Sequence, residues 1–127
     1  MTTFCCSPIA TAEYDVDIHI MYDTGTTPDI KLGFTGPASS TFDWHMIGLG
    51  QSATGTEGVI YAGASALAGN VAPAGAGAGT VNVVRIRGLF KTAGTSGNFK
   101  LQWAQFVANV SNTVVKAGSY LIARRMA

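Results

Sequence analysis

Residues 14–22, YDVDIHIMY, alternate without a break: Tyr14, Val16, Ile18, Ile20 and Tyr22 fall on one side, Asp15, Asp17, His19 and Met21 on the other. A period of two is that of a β-strand with one buried face. Residues 98–107, NFKLQWAQFV, repeat the pattern, with Phe99, Leu101 and Trp103 opposed to Lys100 and Gln102. Residues 80–91, TVNVVRIRGLFK, and 119–125, SYLIARR, are rich in the β-branched, aromatic and long side chains that suit a pleated, half-buried surface. Two further strands are predicted over residues 29–34, with Ile30, Leu32 and Phe34 inward, and over 42–49, with Phe42, Trp44 and Met46 on one face. A short strand begins at Val59-Ile60-Tyr61.

Turn residues punctuate these runs at 23–28 (DTGTTP), Gly36-Pro37, 92–97 (TAGTSG) and 116–118 (KAG). TAGTSG between two strands predicts a hairpin over residues 81–107 with a loop of about six residues. Gly48 and Gly50 around Leu49 suggest a bulge or a close approach. Roughly six to eight strands at intervals of about 10–15 residues, with no amphipathic helix, predict an all-β, single-domain antiparallel β-sandwich or jelly roll. Residues 1–8 are expected to be an N-terminal arm or the first edge of the sheet, and residues 9–127 the sandwich domain.

Residues 62–79 hold eight Ala, five Gly and one Pro, and end in APAGAGAG. Silk-like stacking, a flexible loop and an interdomain linker all fit that composition. Only about 50 residues follow it, few for a second domain, so it is read as a long connection across the end of the sandwich. If ordered, it is expected to pack on a neighbouring subunit.

Composition shifts the picture toward assembly. The hydrophobic share is 47% and the charged share only 12%, about half the usual charge content. Such a surface suits contact with copies or partners, which lose charge at their centres; a Thr/Ser-rich surface of an ordinary β domain is the alternative. A net charge of +1 gives no field for nucleic acid. No apolar run reaches the roughly 20 residues of a membrane span, and the first residues lack the pattern of a secretory signal. Cys5 and Cys6 are adjacent, which disfavours a bond between them, and they have no zinc spacing. They are read as reduced thiols, with a link between chains as the other state.

Candidate chemistry is sparse. Asp15, Asp17 and His19 share a strand face, but i and i+4 on a strand lie about 13 Å apart, too far for one ion without other strands. A solvated or inter-subunit polar face is favoured. His45 lacks a zincin partner, residues 75–79 lack the Lys-Ser/Thr of a phosphate loop, and no Gly-x-Ser-x-Gly elbow occurs. Asn109-Val110-Ser111 matches a glycosylation triplet, which has no meaning without secretion. Arg85 and Arg87 share a face with Val81 and Val83 and are expected to meet carboxylates across the sheet or on a partner, or to be solvated. Gln102 and Gln105 flank Trp103 and Ala104, either as directional contacts in an assembly or as plain strand residues. No carboxylate pair stands out for glycoside hydrolysis. No catalytic, cofactor or metal residue is assigned, and no enzyme is expected.

A run of motifs carries a resemblance: Asp29-Ile-Lys-Leu-Gly-Phe-Thr-Gly-Pro37, Trp44, Arg87-Gly-Leu-Phe90, Leu101-Gln-Trp-Ala-Gln105 and Val115-Lys-Ala-Gly-Ser-Tyr-Leu121. In that order, over residues 8–125, they resemble a domain of tailed-phage virion structural proteins. The resemblance implies a trimeric jelly roll of the tumour-necrosis-factor-like type, found in decoration, head-fibre and tail-tip proteins. With no stalk expected before the domain, it implies a non-enzymatic capsid decoration protein. Such a protein, made in the host cytoplasm, binds the major capsid protein on the outer capsid surface. A receptor-binding or tail-fibre tip domain is the alternative. Self-contact is expected from part of the set Trp44, Phe90, Trp103 and Tyr120, the rest being inner core. The shell-facing arm is expected to use Phe4, Cys5, Cys6 and Ile9. No nucleic acid, membrane or cofactor is expected as a partner.

Overall fold

The computed structural model describes residues 2–49, 58–62, 67 and 70–127. Among these there is no helix, and the strands are β1 (Thr2–Cys6), β2 (Glu13–Asp23), β3 (Ile30–Thr35), β4 (Thr41–Leu49), β5 (Gly58–Ala62), β6 (Asn70–Val71), β7 (Val81–Lys91), β8 (Phe99–Gln105), β9 (Val114–Val115) and β10 (Tyr120–Arg125). They form two antiparallel sheets packed as a β-sandwich. One has the order β1-β8-β3-β6; the other has the order β10-β2-β7-β4-β5, with β9 beside the end of β2. Consecutive strands mostly change sheet: β1, β3, β6 and β8 lie in the first, β2, β4, β5 and β7 in the second.

The alternation read from the sequence sets which side chains face the core. Tyr14, Val16, Ile18, Ile20 and Tyr22 of β2, Ile30, Leu32 and Phe34 of β3, and Phe42 and Met46 of β4 are all buried. Phe34, Phe42, Phe90 and Phe99 form the densest part of the core. Phe42 meets Phe34 and Phe99 at 5.0 Å, both edge-on, a geometry that adds about 0.5–1.5 kcal/mol per pair beyond area burial.

The expected hairpin over residues 81–107 does not form. β7 pairs with β2 and β4, whereas β8 pairs with β1 and β3 in the other sheet. The reason is the core: Phe90 near the end of β7 and Phe99 at the start of β8 face one another across the sandwich, 4.5 Å between ring centroids. A hairpin would set these rings side by side on one sheet. The connecting segment is instead tied to the start of β2, where the Thr92 hydroxyl donates to Ile9 O and accepts from Ala12 N, and Gly97 N donates to Pro8 O.

Two glycines make close approaches possible. A Cβ on Gly88 of β7 would strike the Asp43 carbonyl and the Phe42 and Trp44 side chains of the adjacent β4. A Cβ on Gly75 would strike the carbonyls of Thr24 and Gly25. The Ala/Gly connection is anchored there within its own chain: Tyr22 OH donates to Ala74 O (2.7 Å) and Gly75 N donates to the Asp29 carboxylate (2.9 Å). Gly48 also proves to be a close approach, against Val84. The part of the connection at residues 63–66, 68 and 69 lies outside the described residues. The Lys-Ala-Gly turn forms as expected, with Gly118 at φ 97° and Ser119 N donating to Lys116 O.

Candidate interaction surfaces

The outer face of the six-stranded sheet carries most of the polar chemistry. Its residues stand in rows because the antiparallel register sets them opposite one another. Arg124, Asp15, Leu89 and Asp43 form one row; Ile122, Asp17, Arg87 and His45 the next; Tyr120, His19, Arg85 and Ile47 a third. Arg85 and Arg87 each lean one row toward the Glu13 end. Arg85 bonds both oxygens of Asp17 at 3.0 Å, and Arg87 reaches Asp15 at 3.3 Å. Lys91 pairs directly with Glu13, and Lys116 with Asp23. The hydrogen bond to Asp17, and then its charge, push the Arg85 pKa above the ordinary arginine value. The two arginines therefore meet carboxylates across the sheet, and the Asp15-Asp17-His19 face is a polar ladder. Among the described residues no group of three or more His, Cys, Asp or Glu side chains is placed to hold a metal ion.

The other half of this face is mostly apolar, with the Asp23–Lys116 pair at its end. Val81, Val83 and Ile47 are exposed there, with Val114 beside the end of β2. A shallow hollow at the charged half is lined by Asp15, Asp43, His45, Arg87, Gly88, Leu89 and Met126.

The aromatic set expected at a self-contact is divided among three environments. Phe90 is fully buried and belongs to the inner core. Trp44 and Trp103 face inward but stay half-buried. Trp44 packs on Phe34 at 5.2 Å, and the indole N–H groups of both have no acceptor among the described residues. Tyr120 is exposed on the outer face, stacked on His19 at 5.2 Å.

Of the two expectations for the N-terminus, the structure has the sheet edge. Thr2–Cys6 pairs along its length with β8. Phe4 and Cys6 lean on the core, half-buried, while Cys5 and Ile9 are exposed. Burial, and to a lesser degree the neighbouring Cys5, push the Cys6 thiol up to about 11. Gln105 does have a directional role, but within the chain. Its amide donates to Ser111 O and accepts from Asn109 N, and Phe106 N and Val107 N donate to Pro28 O. The loop so fixed presents Phe106, Val107 and the fully exposed Val110 to solvent. Sequence reasoning missed this loop because Phe106 and Val107 read as the end of the strand over residues 98–107, whereas β8 stops at Gln105. Compared with protein-family models, curated proteins and solved structures, the chain matches none.

Proposed function

We propose that this protein is a non-enzymatic virion structural protein, a homotrimeric capsid decoration protein that binds the major capsid protein on the outside of a phage head and stabilises it. The observation that carries the reading is the strand order. Strands that pass back and forth between sheets as β1-β8-β3-β6 and β2-β7-β4-β5 support a jelly roll, the fold implied by the motifs that resemble virion proteins. The surface chemistry supports it further: Glu13, Asp15, Asp17 and Asp23 are held in ion pairs to basic residues of the same chain. Carboxylates paired in this way have their charge met within the chain. The exposed apolar residues offer contact area instead.

A decoration protein works by mass action. Binding only the assembled shell raises the shell's apparent stability with concentration. β1 is paired to β8 on one side only, so its other edge, with Cys5 and Ile9 exposed beside it, remains a candidate shell contact, and a second candidate is the fixed loop at residues 106–113. The same loop favours a second reading, a receptor-binding tip, since a preordered apolar projection loses little entropy on binding a partner.

The test mixes purified protein with shells that lack it, and with host cells. Saturable binding to shells with a raised shell melting temperature supports decoration. Binding to cells and not to shells replaces it with the receptor-binding reading. Light scattering that finds a monodisperse 13.1 kDa species at high concentration removes the trimer.

A further inference from the structure

We infer that a second copy of this chain pairs with β10 edge to edge, about a two-fold axis through Ile122, so that the six-stranded sheet runs on from one molecule into the next. Three observations place the contact there. The first is an uncovered core. Leu121 and Ala123 point inward, like Val16 and Ile18 beside them on β2, yet they remain half-buried while Val16 and Ile18 are 0% exposed. On the same open side Phe4 and Cys6 of β1 are half-buried too.

The second is the backbone. Met126 N donates to Glu13 O in the same register as the rest of β10 against β2. Bonding residues alternate along an antiparallel pair, so Tyr120, Ile122 and Arg124 use their main chain on β2. The N–H and C=O groups of Leu121 and Ala123 then point away from it, an unpaired template for another strand.

The third is the fit of the edge to itself. In an antiparallel pairing of two β10 strands only registers that match these free groups are bonded. The register with Ile122 opposite its own copy pairs residues 120–124 of the two strands. It sets Tyr120 opposite Arg124 of the second copy on the outer face, and Leu121 opposite Ala123 on the inner face. No arginine meets an arginine. The Arg124 side chain is 66% exposed, at 4.0 Å from Asp15, and free to lie over the Tyr120 ring as a cation on an aromatic face. Ile122, 42% exposed, gains an apolar neighbour in its copy. An isologous contact of this kind closes on itself. It is distinct from a threefold contact and, in a trimer, links one trimer to the next.

The experiment uses purified full-length protein. Ile122→Lys sets two ammonium groups against each other at the axis and leaves the core untouched. With far-ultraviolet circular dichroism unchanged, its mass by light scattering should be half that of the wild type or less at equal concentration. Ile122→Cys, in a background with Cys5→Ser and Cys6→Ala, places two thiols at a non-hydrogen-bonded pair, where Cα atoms lie about 4.5 Å apart, within reach of a disulfide. Mild oxidation should give a covalent dimer that Leu121→Cys in the same background does not. Equal masses for wild type and Ile122→Lys, or no cross-link through Ile122→Cys, overturns the pairing. These readouts need no shell, so they stand or fall separately from the decoration reading.

Discussion

Phe42, Phe90 and Phe99 in the middle of the sandwich and Phe4, Leu121 and Ala123 at its β1/β10 side all point inward from alternating strands. The first three are fully buried; the second three are half-buried. Alternation decides only the direction of a side chain. Burial also needs a neighbour on each flank, and β1 and β10 are edge strands with one neighbour each. The middle therefore stores stability, and the open side stores contact area.

Substitutions should separate the two regions by size of effect. Phe42→Ala removes the ring that joins Phe34 and Phe99. It should cost about 3–5 kcal/mol, seen as a melting temperature lower by about 10 °C or more, or as failure to fold. Leu121→Ala, tested in the Ile122→Lys background where the β10 edge is unpaired, should cost about 1–2 kcal/mol, because part of that side chain then meets water. The same substitution in the wild-type background should cost more, because the second copy covers Leu121; equal losses in the two backgrounds would mean that this side stays open in solution.

Arg85→Ala should do least to stability. The Arg85–Asp17 pair lies on a solvated face, where such bridges contribute little, and the change should stay within the error of a thermal melt at low and at high salt. A clear loss that salt abolishes would show that the ladder supports the sheet.

The two cysteines test the same contrast by reactivity. The thiolate is the reactive form, and burial holds Cys6 protonated up to about 11, above its ordinary 9.0. Iodoacetamide at pH 8 should label exposed Cys5 and leave Cys6 until denaturant is added. The sign for stability follows: the folded state keeps a proton that the unfolded state loses. The contribution of Cys6 is thus complete below pH 9.0 and fades as pH rises toward about 11. Equal labelling rates would mean that β1 does not shield its inward side.

The sequence by itself determined the faces. The period of two over residues 14–22, 29–34 and 42–49 named the inward faces correctly, Trp44 being inward but half-buried, because a strand's side chains alternate whatever sheet it joins. It also marked the turn at residues 116–118 and the basic-acidic contacts of Arg85 and Arg87. Which strand pairs with which was decided only by the tertiary structure. Nothing in TAGTSG distinguishes a hairpin from a crossing between sheets; the choice came from packing Phe90 against Phe99 across the core. Likewise residues 1–8 read as arm or edge, until a free edge on β8 was there to pair with Thr2–Cys6. Pairing partners are long-range contacts, and a local pattern carries no information about the edge a strand will find. The candidate surfaces inherit that limit. The outer residues were legible one strand at a time, but the rows that join Asp15 to Arg124 and Tyr120 to His19 exist only once the strands are side by side.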